Sequence, residues 1–308
     1  MKVGNKNGSG YTVNIGVIGG GSIGLLISSY FSLKHTVTVY VRRELQKNKL
    51  NNEGIVRPDS RKVYHVKSLL INQMSEEDCY IVCVKQAHIP AILKELSKVN
   101  LSTPVIFLQN GMGHVDLIAA VKQPILLGVV EHGALKQDDH TVAHTGKGNI
   151  KIAAFSTSEI LLNKLVMELH QTAFPVYIVS EWYRLLVEKL IINATINPIT
   201  ALFHMKNGEI IHNQYINTLA KKLCEEAALI LELDAAEQWG RIQEVAKNTE
   251  GNTSSMLMDI SKGRQTELEA ITGYLIKRNR RNKIPYTLFI YNGIKALEVG
   301  MRMKVGND

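Results

Sequence analysis

One short stretch limits this chain's fold more than any other. Asn14-Ile15-Gly16-Val17-Ile18 reads as a buried strand and runs straight into Gly19-Gly20-Gly21-Ser22-Ile23-Gly24, where helical periodicity begins at Ser22. A strand that turns at once into a helix needs three special places. One is a tight bend, one is where the backbone approaches a ligand closely, and one is where helix and strand press together. Gly19, Gly21 and Gly24 fall at those places. The first N–H groups of such a helix have no partner within it and carry partial positive charge, which suits a phosphate. The glycine spacing alone is common. Set between a first strand and a helix, it predicts a turn that cradles a dinucleotide's pyrophosphate.

The surrounding pattern agrees. Near-continuous apolar runs at residues 13–18, 36–41, 63–66, 80–84, 105–108 and 125–130 alternate with helical stretches such as 22–33. Strands apolar on both faces belong to a parallel sheet covered by helices on each side. Residues 141–154, with Gly146 and Gly148 near the middle, read as a hairpin or a pair of edge strands. After Glu181 the strand-like runs cease, and helices are expected at 182–202, 208–233 and 235–247, with two more through Tyr274 and Leu297. The expected architecture is α/β: an N-terminal Rossmann-type, doubly wound, mostly parallel sheet (11–180) followed by an all-helical domain (181–308). The polar, glycine-rich residues 1–10 read as a flexible leader.

Composition excludes several classes. The chain has 308 residues, 45% hydrophobic and 21% charged, which is enough for a full core. Its net charge of +8 is compatible with anionic ligands. Its densest basic run, Lys277-Arg278-Asn279-Arg280-Arg281-Asn282-Lys283, is one cluster and not a basic face, so it reads as a solvated helix end or loop, and no nucleic acid is expected. No signal peptide and no apolar run of the ~20 residues a membrane span needs is read, so neither a membrane nor an oxidising compartment is expected. Cys79, Cys83 and Cys224 read as reduced buried thiols in a cytoplasmic protein. With no further ligands at close spacing, no metal site is expected.

Several polar residues stand where ligands bind. The second strand ends in Arg42-Arg43, where a carboxylate would read the ribose 2′-hydroxyl of NAD. A guanidinium there pairs with a 2′-phosphate, so NADP is preferred, with Glu44 as the counter-argument. Lys85 closes another strand and can reach a phosphate or a substrate anion. Asn110, in Gln109-Asn110-Gly111-Met112-Gly113, reads either as a ligand contact or as a turn residue. In the second half, Lys189, Asn193 and Asn197 recur at i, i+4 and i+8 in an apolar segment and share one helix face. Burying a lysine and two amides without partners costs several kcal/mol, so a ligand or a polar network must meet them. Pro198 is expected to kink or end that helix. Ser254-Ser255 reads as a helix cap, and Glu267 by default as part of a solvated face.

These motifs in order resemble the ketopantoate reductase (2-dehydropantoate 2-reductase) family over nearly the whole chain beyond the leader. They are the glycine turn with Gly20, Ser22 and Ile23, Asn110-Gly111-Met112-Gly113, the run from Lys189 through Asn193 to Asn197-Pro198-Ile199-Thr200-Ala201-Leu202, and Ser254-Ser255-Met256-Leu257 through Asp259 to Gly263-Arg264 and Thr266-Glu267. The resemblance implies NADPH-dependent reduction of a 2-oxo acid, with Lys189 as general acid and Asn193, Asn197 and Asn207 as substrate ligands. It implies Ser255 at the substrate carboxylate, with Ser254 one residue away as the alternative. Asn110 is shared between cofactor and substrate, Arg42 and Lys85 hold the 2′-phosphate, Ala134 offers a backbone contact, and Glu267 lies near the nicotinamide ribose. Pro285-Tyr286-Thr287 departs from the family's Pro-x-Asn. A reductase of another branched 2-oxo acid and a non-catalytic NADP sensor stay open, as does a homodimer.

Overall fold

The computed structural model describes residues 12–305, with side chains described through Met301, so the expected leader lies outside the described residues. The chain divides into two compact units. The first holds the chain up to Gln109 together with Val115–Leu185, and the second holds Asn110–His114 and Leu186–Asp308.

Among the described residues the first unit holds twelve strands: β1 (Asn14–Ile18), β2 (Thr36–Val41), β3 (Ile55–Arg57), β4 (Lys62–Tyr64), β5 (Lys67–Leu70), β6 (Cys79–Val82), β7 (Val105–Phe107), β8 (Ile125–Val130), β9 (Gly133–Lys136), β10 (Val142–Gly146), β11 (Ile150–Ala154) and β12 (Val176–Ile178). Five helices accompany them: α1 (Ser22–Phe31), α2 (Glu44–Glu53), α3 (Ile89–Leu96), α4 (Val115–Ile118) and α5 (Glu159–Leu169). Eight strands form one sheet in the order β12-β11-β8-β7-β6-β1-β2-β5. It is parallel from β5 to β8, and β11 enters antiparallel to β8. The order reverses between β1 and β6, the point where such sheets bind ligands beyond their carboxyl ends. Ile15, Val17, Val39, Ile81, Ile106 and Leu126 are buried in one core with α1, α5 and Phe174, which explains why these strands read as unbroken apolar runs.

Two strand expectations need correction. The run at 63–66 is not one strand. Its first half belongs to β4, which pairs with β3 in a small hairpin, and the chain re-enters as β5 beside β2. Residues 141–154 are not a hairpin, because β10 pairs with β9 whereas β11 pairs with β8 and β12. β10 folds back on β9, the strand just before it, while β11 joins the large sheet, and local alternation within 141–154 cannot show that split.

The second unit is helical: α6 (Trp182–Leu202, counted here from Leu186), α7 (Glu209–His212), α8 (Gln214–Leu231), α9 (Ala235–Asn248), α10 (Ser255–Ser261), α11 (Thr272–Arg278) and α12 (Pro285–Val305). The helix expected at 208–233 is broken at Asn213, whose side chain accepts the N–H groups of Tyr215 and Ile216 and starts α8 afresh. Pro198 neither ends α6 nor stops its hydrogen bonding. Phe203 N–H donates to the Ile199 carbonyl, and the Thr200 hydroxyl donates to the carbonyls of Ile196 and Asn197. Proline removes only its own donor, and burial of Ile196, Ile199 and Ala201 holds the last turn in place. This helix does reach the length and hydropathy of a membrane span, contrary to the sequence reading. However, 78% of its most apolar window is buried within the protein, as in a core helix. The basic run ends α11 with exposed Lys277 and Arg278 and continues into exposed Arg280, Arg281 and Lys283.

Candidate active site

At the carboxyl end of β1 the glycine turn has the geometry its sequence implies. Gly19 adopts φ +113°, a conformation side chains resist, and its N–H donates to the Tyr40 carbonyl at 2.9 Å. A Cβ on Gly24 would lie 1.9 Å from the Gly19 carbonyl oxygen, so only glycine lets α1 approach the turn this closely. A Cβ on Gly21 would meet nothing within 4 Å, and Gly21 stands at the N-terminus of α1 with no side-chain cap. The open side of the turn therefore presents bare backbone at a helix N-terminus, which fits a pyrophosphate.

Residues not singled out from the sequence hold this turn. The buried Gln46 amide donates to the carbonyls of Gly20 (2.8 Å) and Asp139 (2.9 Å). Lys136, which ends β9, donates its Nζ to the Gly20 carbonyl at 3.0 Å, and its backbone N–H donates to Ser22 Oγ at 3.2 Å. Burial holds the Lys136 ammonium below its ordinary pKa, partly offset by Asp139. Ala134 lies two residues earlier on β9, opposite His144. Nothing in the local sequence marks Gln46 or Lys136, since their roles arise where β9 and α2 meet the turn.

The two arginines after β2 part company. Arg43 is ion-paired with Asp139, whereas Arg42 is exposed. Glu44 pairs with Lys47 on α2. Lys85 is half-buried just beyond β6, and His88 closes the short turn that follows, its N–H donating to the Lys85 carbonyl at 2.9 Å. Burial, and then the charges of Arg42 and Lys85, hold the His88 imidazole below its ordinary pKa.

A second group of residues lies in the helical unit. Along α6, Asn193 and Asn197 are buried and Lys189 is half-buried on the same face. Asn193 Nδ2 lies 3.5 Å from Asn110 Oδ1, and Asn110 Nδ2 donates to Glu267 Oε2 at 3.0 Å, forming a chain of three site residues. Asn110 stands in the loop that belongs to this unit. The next residue, Gly111 at φ +77°, packs so tightly on the Ala270 carbonyl that a Cβ would lie 2.1 Å from it, and Met112 N–H donates to the same carbonyl. The Glu267 loop is fixed in turn by Glu298, a buried carboxylate that accepts the N–H (2.9 Å) and hydroxyl (2.7 Å) of Thr266.

The two serines divide their tasks. Ser254 is buried and caps α10. Its Oγ accepts the Leu257 N–H and shares a 2.8 Å hydrogen bond with the Thr200 hydroxyl, which ties it to α6. Ser255 begins the helix and is exposed. Asn207 is buried with Nδ2 donating to Thr249 Oγ1 at 3.0 Å, while its Oδ1 is buried without a partner, an acceptor waiting for a donor. Asn207 is tied to Thr249 and Ser255 faces outward, apart from the Asn193–Asn110–Glu267 chain. The three cysteines are unbridged, with burial pushing each thiol up to about 12. Among the described residues no cluster of metal-ligating side chains occurs.

Comparison with known proteins follows the same lines. Residues 15–157 match the family model for ketopantoate reductase PanE/ApbA, and residues 181–298 match its C-terminal counterpart. The chain is 40% identical over 292 residues to the 2-dehydropantoate 2-reductase of Bacillus subtilis, covering 93% of this chain and 98% of that one. It is 31% identical to the enzyme of the same name from Listeria innocua, covering 93% and 97%. A crystal structure of the probable Bacillus subtilis 2-dehydropantoate 2-reductase superposes with TM-score 0.84 at 41% identity, covering 93% and 100%. A D-mandelate dehydrogenase solved with NADH and anilino(oxo)acetate shares the fold at TM-score 0.86 and 19% identity, covering 94% and 99%.

Proposed function

This chain belongs to the ketopantoate reductase family, and we propose that it catalyses the NADPH-dependent reduction of the C2 ketone of 2-dehydropantoate to (R)-pantoate, a step of pantothenate biosynthesis in the cytoplasm. The observation that carries the reading is the buried stripe of α6, in which a lysine and two amides share one face and the middle amide joins Asn110 and Glu267. On this reading the first unit carries the cofactor and the helical unit carries substrate and catalysis. The glycine turn, residues 19–24, cradles the pyrophosphate, Ala134 adds a backbone contact, and Arg42 with Lys85 holds the 2′-phosphate. Asn110 and Glu267 hold the nicotinamide ribose, and Asn110 also reaches the substrate.

When bound, the reduced nicotinamide supplies a hydride to C2. Lys189 holds a proton on Nζ for the ketone oxygen, where negative charge builds as C2 is reduced. Asn193 and Asn197 orient the ketone and the far hydroxyl. Ser255 receives the carboxylate, because Ser254 already spends its oxygen on Leu257 and Thr200. Asn207 supplies a further substrate contact through an amide with an unused acceptor.

The test follows NADPH absorbance with 2-dehydropantoate, with other branched 2-oxo acids, and with NADH in place of NADPH. Fastest oxidation with NADPH and 2-dehydropantoate is expected. Faster turnover of another 2-oxo acid replaces the substrate named here. Binding of NADPH without turnover of any of them marks a sensing protein and sinks the reductase reading.

A further inference from the structure

The sheet register brings three basic residues to one edge. Tyr40 of β2, Ile18 of β1 and Val82 of β6 lie in one row across the three strands. Beyond that row all three strands run out at the same edge: into Gly19 and Gly20 from β1, into Arg42 two residues past Tyr40, and into Lys85 three residues past Val82. Strands two apart in a sheet are separated by roughly 10 Å, within the combined reach of an arginine and a lysine closing on one phosphate. The turn at residues 85–88 then folds back on itself through the His88 N–H to Lys85 carbonyl bond, which keeps His88 beside Lys85, half-buried at the start of α3.

We infer that His88 is the third and titratable member of the 2′-phosphate site, so that NADPH binding takes up a proton on its imidazole and the preference for NADPH over NADH declines as pH rises. The inference rests on the NADP reading above and adds to it how that same site is regulated. The charged groups that bear on His88 are Arg42, from the end of β2, and Lys85, from its own turn. Both are cations, and among the described residues no carboxylate bears on it. Against two cations and partial burial, a proton on this ring is disfavoured in the free protein. A 2′-phosphate arriving between Arg42 and Lys85 reverses the field. It brings up to two negative charges next to the ring and an oxygen able to accept from an imidazolium N–H. Arg42 and Lys85 give the site its affinity for the phosphate. His88 adds a charge that depends on both pH and ligand. By linkage, one proton taken up on binding weakens affinity up to about tenfold per pH unit above the free imidazole's pKa.

The experiment measures Kd for NADPH and for NADH at pH 6, 7 and 8, in the unaltered protein and in His88→Gln and Arg42→Ala. It also measures proton uptake on NADPH binding, by calorimetry in two buffers of different ionisation enthalpy. NADH lacks the 2′-phosphate, and His88→Gln retains the phosphate's own titration, so the contrast between proteins isolates the ring. NADH binding by each variant reports an intact fold. The expected result is that NADPH preference falls at least about fivefold from pH 6 to pH 8 in the unaltered protein and by less than about twofold in His88→Gln, with proton uptake lost in the variant. Equal pH slopes and equal proton uptake in the two proteins would overturn the role of His88, even if Arg42→Ala still abolishes NADPH preference. If the unaltered protein shows no preference for NADPH at any pH, the NADP reading fails and this inference fails with it.

Discussion

Lys189 is the residue on which the proposed chemistry depends most. It stands on a helix face whose other polar members, Asn193 and Asn197, are buried. Replacing it with alanine should lower turnover of 2-dehydropantoate by ~10²–10⁴ while NADPH binds almost as before. Steady-state rates together with a direct NADPH titration check this, and near-normal turnover would remove Lys189 from the role of acid. The neighbouring serines give a sharper contrast. Ser254→Ala strips the cap of α10 and leaves the Thr200 hydroxyl without its partner there, so it should cost about 1 kcal/mol of stability with a modest effect on KM. Ser255→Ala should leave thermal stability unchanged and raise KM for the 2-oxo acid with little change in NADPH affinity. If the two variants exchange these behaviours, the carboxylate belongs to Ser254. The resemblance put Ser255 at the carboxylate and kept Ser254 as the alternative. The burial of Ser254 and the exposure of Ser255, set by where α10 starts, give the two serines different surroundings.

Among the elements, α8 shows how much a single side chain decides. Asn213 interrupts what its apolar periodicity presents as one long helix and supplies the oxygen that starts the second. Asn213→Ala should lower stability by about 1 kcal/mol, read as a shift in a denaturation midpoint with an unchanged slope. An unchanged midpoint would mean that α8 owes its start to packing alone. Elements of this kind mark the boundary of what the sequence displays. The strands flanking the glycine turn were plain because burial on both faces leaves an unbroken apolar run, and the α6 stripe was plain because four-residue spacing is a local property. The hold of Gln46 and Lys136 on the Gly20 carbonyl and the anchoring of Thr266 by Glu298 depend on chain segments meeting from a distance, and no window of sequence contains them. At Pro198 one of the two local expectations, a helix end, does not hold, because the buried residues around it keep the last turn in place.

At the scale of the whole molecule, buried histidines set an acid limit. His114 is fully buried with both ring nitrogens unpartnered, and burial takes its pKa down to about 4. His132 is buried beside His144 and is likewise held down to about 4, by burial first and then by its neighbour. A folded-state pKa below the unfolded value of about 6.5 means that the unfolded chain takes up protons first as pH falls. Stability is therefore full above pH 6.5 and declines between 6.5 and 4, with His114 alone responsible for on the order of 3 kcal/mol at the lower end. Carboxylates with lowered pKa, such as Asp138 at about 2, act at more acid pH, whereas Glu77, its carboxyl pushed up by burial, opposes the histidines within the window. Thermal melting across that window should show a steady fall in Tm, and His114→Leu should make the fall shallower. A flat profile would mean that these rings find protons, or water, in the folded state.

The loop from Asn110 to His114 has one more consequence, and it concerns time. Asn110 and the Glu267 that holds it are 157 residues apart, so during synthesis at ~5–20 residues per second the loop leaves the ribosome roughly eight to thirty seconds before its anchor exists. The strand before it can join its sheet in that interval, but Gly111 has no Ala270 carbonyl to rest on until the helical unit is nearly complete. The nascent chain thus carries an unmoored segment through most of its production, and any product cut short before residue 267 keeps it unmoored for good.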